Sequence, residues 1–125
     1  MAGNLPMYPD VVVMDGVSIA SDDGTLTVLH TAGVGGSRID AIHVTNQDAL
    51  NDVEVSLYHN DGADDRYLGK VTVAAGVESN ILTEANFGFL AQTQLMLAGT
   101  QTLKAQLDGG GDGSDVNIFV MGGGY

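Results

Sequence analysis

The chain contains no cysteine, so neither a disulfide framework nor a thiolate metal site can form, and the redox compartment leaves no trace in it. It has no tryptophan, and its only prolines, Pro6 and Pro9, fall within the first ten residues. Basic residues are scarce: four Lys and Arg against sixteen Asp and Glu, a formal net charge of -12. A surface of that sign repels phosphate backbones and anionic lipid heads, which argues against nucleic-acid and membrane-surface partners. No apolar run approaches the roughly 20 residues of a membrane-spanning helix. Met1 to Asp10 carries neither basic residues nor an apolar stretch, unlike a secretory signal, so synthesis in the cytoplasm is expected.

What is present points to β structure. The 125 residues suit one domain with a real core, and 44% of them are hydrophobic. Eighteen glycines separate short runs of Val, Ile, Thr and Leu, and no window of helix length shows apolar residues at three-and-four spacing. Residues 1–10, with Leu5, Met7 and Tyr8 beside the prolines, read as an extended arm, and residues 11–125 as one domain.

Within that domain Val11–Met14 and Val17–Ala20 are expected as two strands about an Asp15-Gly16 turn. Thr25–Thr31 is expected to place Leu26, Val28 and His30 on one face. Ala32–Ser37 reads as a flexible loop, and Arg38–Asn46 as a strand with Ile42 and Val44 inward. Gln47–Asp52 reads as a polar turn. Val53–His59 alternates most clearly, with Val53, Val55 and Leu57 on one side, and Arg66–Ala74 returns beside it after Asp61-Gly62. Val77–Leu90 is irregular, with one helical turn at Thr83–Asn86 over Phe87 and Phe89. Gln94–Leu97, Thr102–Leu107 and Val116–Met121 complete the strands, and Gly122–Tyr125 reads as a tail. Eight or nine short strands, each with one apolar face, require a second layer. The expected fold is all-β: an antiparallel β-sandwich of jelly-roll type.

Chemistry is hard to find in this pattern, and the chain is not expected to be an enzyme. No serine sits in a Gly-x-Ser-x-Gly elbow, and nothing marks a base beside Ser37. His43 and His59 lie in strands that neighbour each other on this reading, without further sign of a site. The sixteen acidic residues crowd the turns, where Asp is at home, and single out no catalytic pair. With few aromatic residues, a sugar-stacking platform is poorly supplied. The loop Asp108–Asp115 offers Asp108, Asp112 and Asp115 on a glycine-rich backbone as weak calcium ligands. It matches the start of a calcium β-roll repeat only once and then departs from it at Asn117, so a plain hairpin turn is the simpler reading. Gly33–Ser37 lacks the lysine of a phosphate-binding loop. No cofactor is expected.

The stretch Leu29-His30-Thr31-Ala32-Gly33-Val34-Gly35-Gly36-Ser37-Arg38-Ile39-Asp40-Ala41-Ile42-His43-Val44-Thr45-Asn46 is followed by Val53-Glu54-Val55-Ser56-Leu57-Tyr58-His59-Asn60-Asp61-Gly62. The chain ends Phe119-Val120-Met121-Gly122-Gly123-Gly124-Tyr125. In order and spacing these segments, about half the chain, resemble a group of small bacteriophage and prophage virion structural proteins. That group shares a TAGxxGSRIDxIxVTN strand, a VxLYxxDG strand and a VFGGxY-like ending.

The resemblance implies a structural β-protein of the virion. A capsid decoration (cement) protein comes first, associating with the major capsid protein and with copies of itself, as a trimer for instance. A tail-tip or fibre module binding a host surface, or a small carbohydrate- or calcium-binding module, are the alternatives. The interface candidates are Leu5, Met7, Tyr8, Arg38 and Tyr125. No catalytic residues come with the resemblance.

Overall fold

The computed structural model describes residues 11–88 and 95–125. Nine strands and one helical turn follow in order: β1 Val11–Ala20, β2 Thr27–Thr31, β3 Ser37–Asn46, β4 Val53–Asn60, β5 Asp65–Val73, β6 Glu78–Asn80, α1 Glu84–Phe87, β7 Leu95–Leu97, β8 Thr102–Leu107 and β9 Asp115–Gly124. They form two antiparallel sheets. The first has the order β1-β9-β3-β6, with β7 also on β3; the second has the order β2-β8-β4-β5.

The order has a simple origin. β1 lies beside β9, β2 beside β8, β3 beside β6 and β4 beside β5. The chain is thus one long antiparallel hairpin, closed at the Asp61–Asp64 loop and rolled so that successive strand pairs alternate between layers. This is a jelly roll, the expected sandwich. The pairs β3·β9 and β4·β8 seal the roll.

Alternation places the core between the layers. Ile42 and Val44 of β3 and Val116, Ile118 and Val120 of β9 face Val53, Val55 and Leu57 of β4 and Leu103, Ala105 and Leu107 of β8. All are buried, each contributing on the order of 1.5–3 kcal/mol for the larger side chains. The helical turn is present, but Phe87 belongs to it and packs against Gly69 of β5 instead of lying beneath the turn, whereas Phe89 and the arm residues Leu5, Met7 and Tyr8 lie outside the described residues.

Several expectations are corrected. Asp15-Gly16 is not a turn: β1 pairs with β9 without interruption from Val11↔Gly124 to Ala20↔Asp115. Gly16 is there because the Phe119 ring lies over it, with Cε1 2.6 Å from where a Cβ would stand. In β2 the period breaks at a bulge between Val28 and His30, so Leu29 and His30 are both buried while Val28 is exposed. Gly122–Tyr125 is not a tail, since β9 runs to Gly124 and the Tyr125 amide donates to the Gly36 carbonyl. Asp108–Asp115 is not a hairpin turn, because β8 and β9 belong to different sheets. For the same reason His43 and His59 are not on neighbouring strands.

Candidate functional site

Three places in the fold gather polar side chains. The first is a cluster of crossover loops at one end of the sandwich, with Asp48 at its centre. Its carboxylate is shut off from solvent and accepts hydrogen bonds from the amides of Leu50 (2.9 Å), Asn51 (2.9 Å) and Asp112 (2.9 Å), and from the Asn51 side chain (3.1 Å). Its carbonyl receives the Gly76 amide. Burial pushes this carboxyl upward, but the amides of Asp112, Leu50 and Asn51 outweigh it and hold the group well below the usual carboxylate range. One residue thereby ties together the β3–β4, β5–β6 and β8–β9 crossovers, the first and last through its carboxylate and the second through its carbonyl.

The calcium candidates belong to this loop cluster. Asp112 accepts from the Ser114 amide, Asp108 faces the Gly110 amide, and Asp115 opens β9. Among the described residues no group of three or more His, Asp or Glu side chains is placed to hold a metal. The loop is held by the Asp112 amide on Asp48 and by the Gly111 and Gly113 amides and the Ser114 carbonyl on Ser21.

The second place runs inward from the half-exposed Asp15 at the sheet edge. Asp15 faces inward from the edge strand β1 and its carboxylate meets Nδ1 of His30, whose Nε2 lies 2.8 Å from Oγ of Ser37. The order carboxylate, imidazole, hydroxyl is that of a hydrolase triad. A nucleophile must be reachable, however, and Ser37 is only 1% exposed; no pocket opens among the described residues. The chain of contacts instead pins the edge of one sheet to β2 of the other. Nothing local in the sequence hints at it, because the β2 bulge that turns His30 inward has no compositional mark.

The outer faces of the two sheets form the third place, and they differ in character. On the β1-β9-β3 face, opposite residues stand in rows: Gly16, Phe119 and His43; then Met14, Met121 and Ala41; then Val12, Gly123, Arg38 and Met96. Val12, Met14 and Phe119 are exposed, so this face is apolar toward β1, and Met96 is exposed at the far side of β3. Arg38 and Tyr125, the interface candidates within the described residues, come together at its border. The guanidinium donates to both Asp40 oxygens (2.8 and 3.1 Å) and, at 3.5 Å, to the Tyr125 hydroxyl. The hydrogen bond to Asp40 raises the Arg38 pKa further.

The β2-β8-β4-β5 face holds Lys70 and Lys104, while Arg66, opposite His59 in register, stands on the other side of β5 beside the Asp61–Asp64 loop. Lys104 pairs with Asp65 (3.0 Å), Lys70 with Glu54 (3.4 Å) and Arg66 with Asp61 (3.0 Å). The amides of Asp64 and Ala63, with Arg66, hold the Asp61 carboxyl at about 2. Between these pairs stand Tyr58 and Tyr67, opposite each other on β4 and β5, with ring centroids 5.6 Å apart and planes inclined at 57°. Tyr58 donates to Oε1 of Gln106 (3.4 Å), whose Nε2 is anchored on the Gly24 carbonyl (2.8 Å).

The meeting of the two tyrosines depends on a bulge in β5, where the register steps from Leu57↔Gly69 to Tyr58↔Tyr67. Gly69 accommodates it with φ +148°, and its bare Cα lies against the Phe87 ring. The bulge returns Tyr67 to the outer face beside Lys70, which strict alternation forbids. Compared with known proteins, the chain matches no family model, no curated protein and no solved structure.

Proposed function

We propose that the chain is a bacteriophage virion structural protein, and that its place is on the capsid as a decoration protein docking on the shell. The observation that carries this reading is the asymmetry of the sandwich. One sheet turns Val12, Met14, Met96 and Phe119 outward as an apolar face, while the other turns outward paired charges and hydroxyls. Exposed apolar surface of this kind favours a protein partner. Residues 1–10, with Leu5, Met7 and Tyr8, join the chain at Val11 on the border of that face.

In this reading the arm and the apolar face engage the major capsid protein and neighbouring copies, and the acidic remainder keeps the free protein in solution. The sequence resemblance described above supports the same role. The reading asks for no catalysis.

Imaging of intact particles is the decisive experiment. The protein is expected in many copies, as discrete clusters on the outer shell, with the β1-β9-β3 face against its partner. A few copies at a tail tip, with adsorption lost on deletion of the gene, would replace this role with host-surface binding.

A further inference from the structure

The tyrosine pair on the other sheet lies on the layer opposite the apolar docking face, and nothing above accounts for it. We propose that the outer face of β8, β4 and β5 is a binding site for a neutral polysaccharide, with Tyr67 and Tyr58 as its aromatic floor. Three independent features support a sugar as the occupant.

The first is the ring geometry. Tyr67 is 57% exposed on the edge strand β5, beside a second aromatic ring on β4. The C–H face of a pyranose is the complement of such a ring, because it offers apolar contact without requiring a deep pocket. The second is the polar surround. Directly beside the tyrosines a row of Gln106, Ser56 and Lys70 crosses the same three strands, with Glu54 and Thr72 in the row beyond. Hydroxyl, amide, ammonium and carboxylate groups alternate there at the strand spacing of about 4.8 Å. A polyhydroxylated ligand both donates and accepts, and needs that mixture.

The third is charge. Both cations on the face are matched by a carboxylate, through Lys70–Glu54 and Lys104–Asp65. An anionic ligand would find these cations already occupied and the whole molecule at -12. A neutral one meets no such penalty. The β5 bulge at Gly69 adds to the case, since a left-handed backbone position is maintained where its effect is to put Tyr67 on the face.

The test uses the full chain labelled for NMR and four neutral hexasaccharides as probes: β-1,4-linked glucose, β-1,4-linked N-acetylglucosamine, α-1,4-linked glucose and β-1,4-linked mannose. Polygalacturonate serves as the anionic comparison. At least one neutral hexasaccharide is expected to produce saturable shifts centred on Tyr58, Tyr67, Lys70 and Gln106, with polygalacturonate producing none. Tyr67→Ala should weaken binding about tenfold, the worth of one aromatic contact. Tyr67→Phe, which keeps the ring, should bind within about threefold of the parent.

Absence of shifts with all four neutral probes at about 10 mM overturns the proposal, as does binding of polygalacturonate alone. So do shifts that map to the β1-β9-β3 face, or a Tyr67→Ala chain that is folded by its amide spectrum and binds as tightly as the parent. A protein partner captured through the tyrosines, with no sugar bound, does so as well. None of these results depends on where the protein sits in a particle, so the decoration role and the sugar site stand or fall separately.

Discussion

A carboxylate sealed from water ordinarily weakens a fold, since the charge loses its hydration. Asp48 escapes that outcome because amide donors from its own loop and from the β8–β9 crossover replace the lost water. Its carboxyl ionises more readily in the folded chain than at the ordinary 3.8, and so does that of Asp61, at about 2. A carboxyl lowered by folding contributes stability that is complete above its ordinary value and fades as the pH falls toward the folded one. The share of stability that these two carboxyls contribute should therefore be complete at neutral pH and be lost below about pH 4, read as the acid limb of thermal unfolding followed by circular dichroism. Asp48→Asn should unfold at a lower temperature at pH 7, by roughly 5–10 °C, and lose less on acidification. An acid decline as steep as the parent's would show that Asp48 is not its source. Nothing in the linear chain distinguishes this residue from the other turn acids; the Gln47–Asp52 segment simply reads as polar. Its partner Asp112 is 64 residues away, and such a pairing leaves no local mark.

At the scale of strands, legibility follows side-chain contrast. β4 and β8 are readable because Val53, Val55, Leu57 and Leu103, Ala105, Leu107 alternate with polar residues over an unbroken register. β2 is half readable, because its bulge moves His30 into the interior. β6 was missed, since Glu78, Ser79 and Asn80 carry no apolar residue to announce a strand. The Asp15-Gly16 pair imitates a turn locally, and only the Phe119 ring across the sheet explains the glycine. The run Gly122–Gly124 has no side chains from which to read a period, yet it fills three positions opposite β1.

Gly122 shows why that end must be glycine: a Cβ there would collide with the Arg38 carbonyl, which the β3 bulge pushes toward it. The backbone cannot yield as a side-chain tip would. Gly122→Ala is expected to cost about 2–4 kcal/mol in urea unfolding, whereas Gly33→Ala, in open space, should stay within about 0.5 kcal/mol. Equal effects would contradict the close approach of β3 and β9. The triad-like Asp15–His30–Ser37 chain and the Tyr58–Tyr67 pair were illegible for a related reason. Each is assembled by a bulge, and a bulge is the one feature of a strand that alternation does not encode.

For the molecule as a whole, charge is the dominant long-range force. Sixteen carboxylates on a chain of this size repel one another in the compact state more than in the unfolded one. The exposed ion pairs of β4, β5 and β8 offset little of that repulsion. Raising salt from a few millimolar to about 1 M, where the screening length shrinks to about 3 Å, should raise the unfolding temperature by several degrees. A lower unfolding temperature in high salt would mean that the ion pairs outweigh the self-repulsion. The sandwich itself was legible at this scale, since many short strands with one apolar face each admit few other solutions. The rolling of a single hairpin fixes which strands meet.

Val11 and Gly124 are direct neighbours across the β1·β9 ladder. The two ends of this ladder therefore meet at one corner of the sandwich. A short tether across that corner, with the chain opened at the Asp61–Asp64 loop instead, would give a circularly permuted polypeptide that retains every strand pairing in both layers.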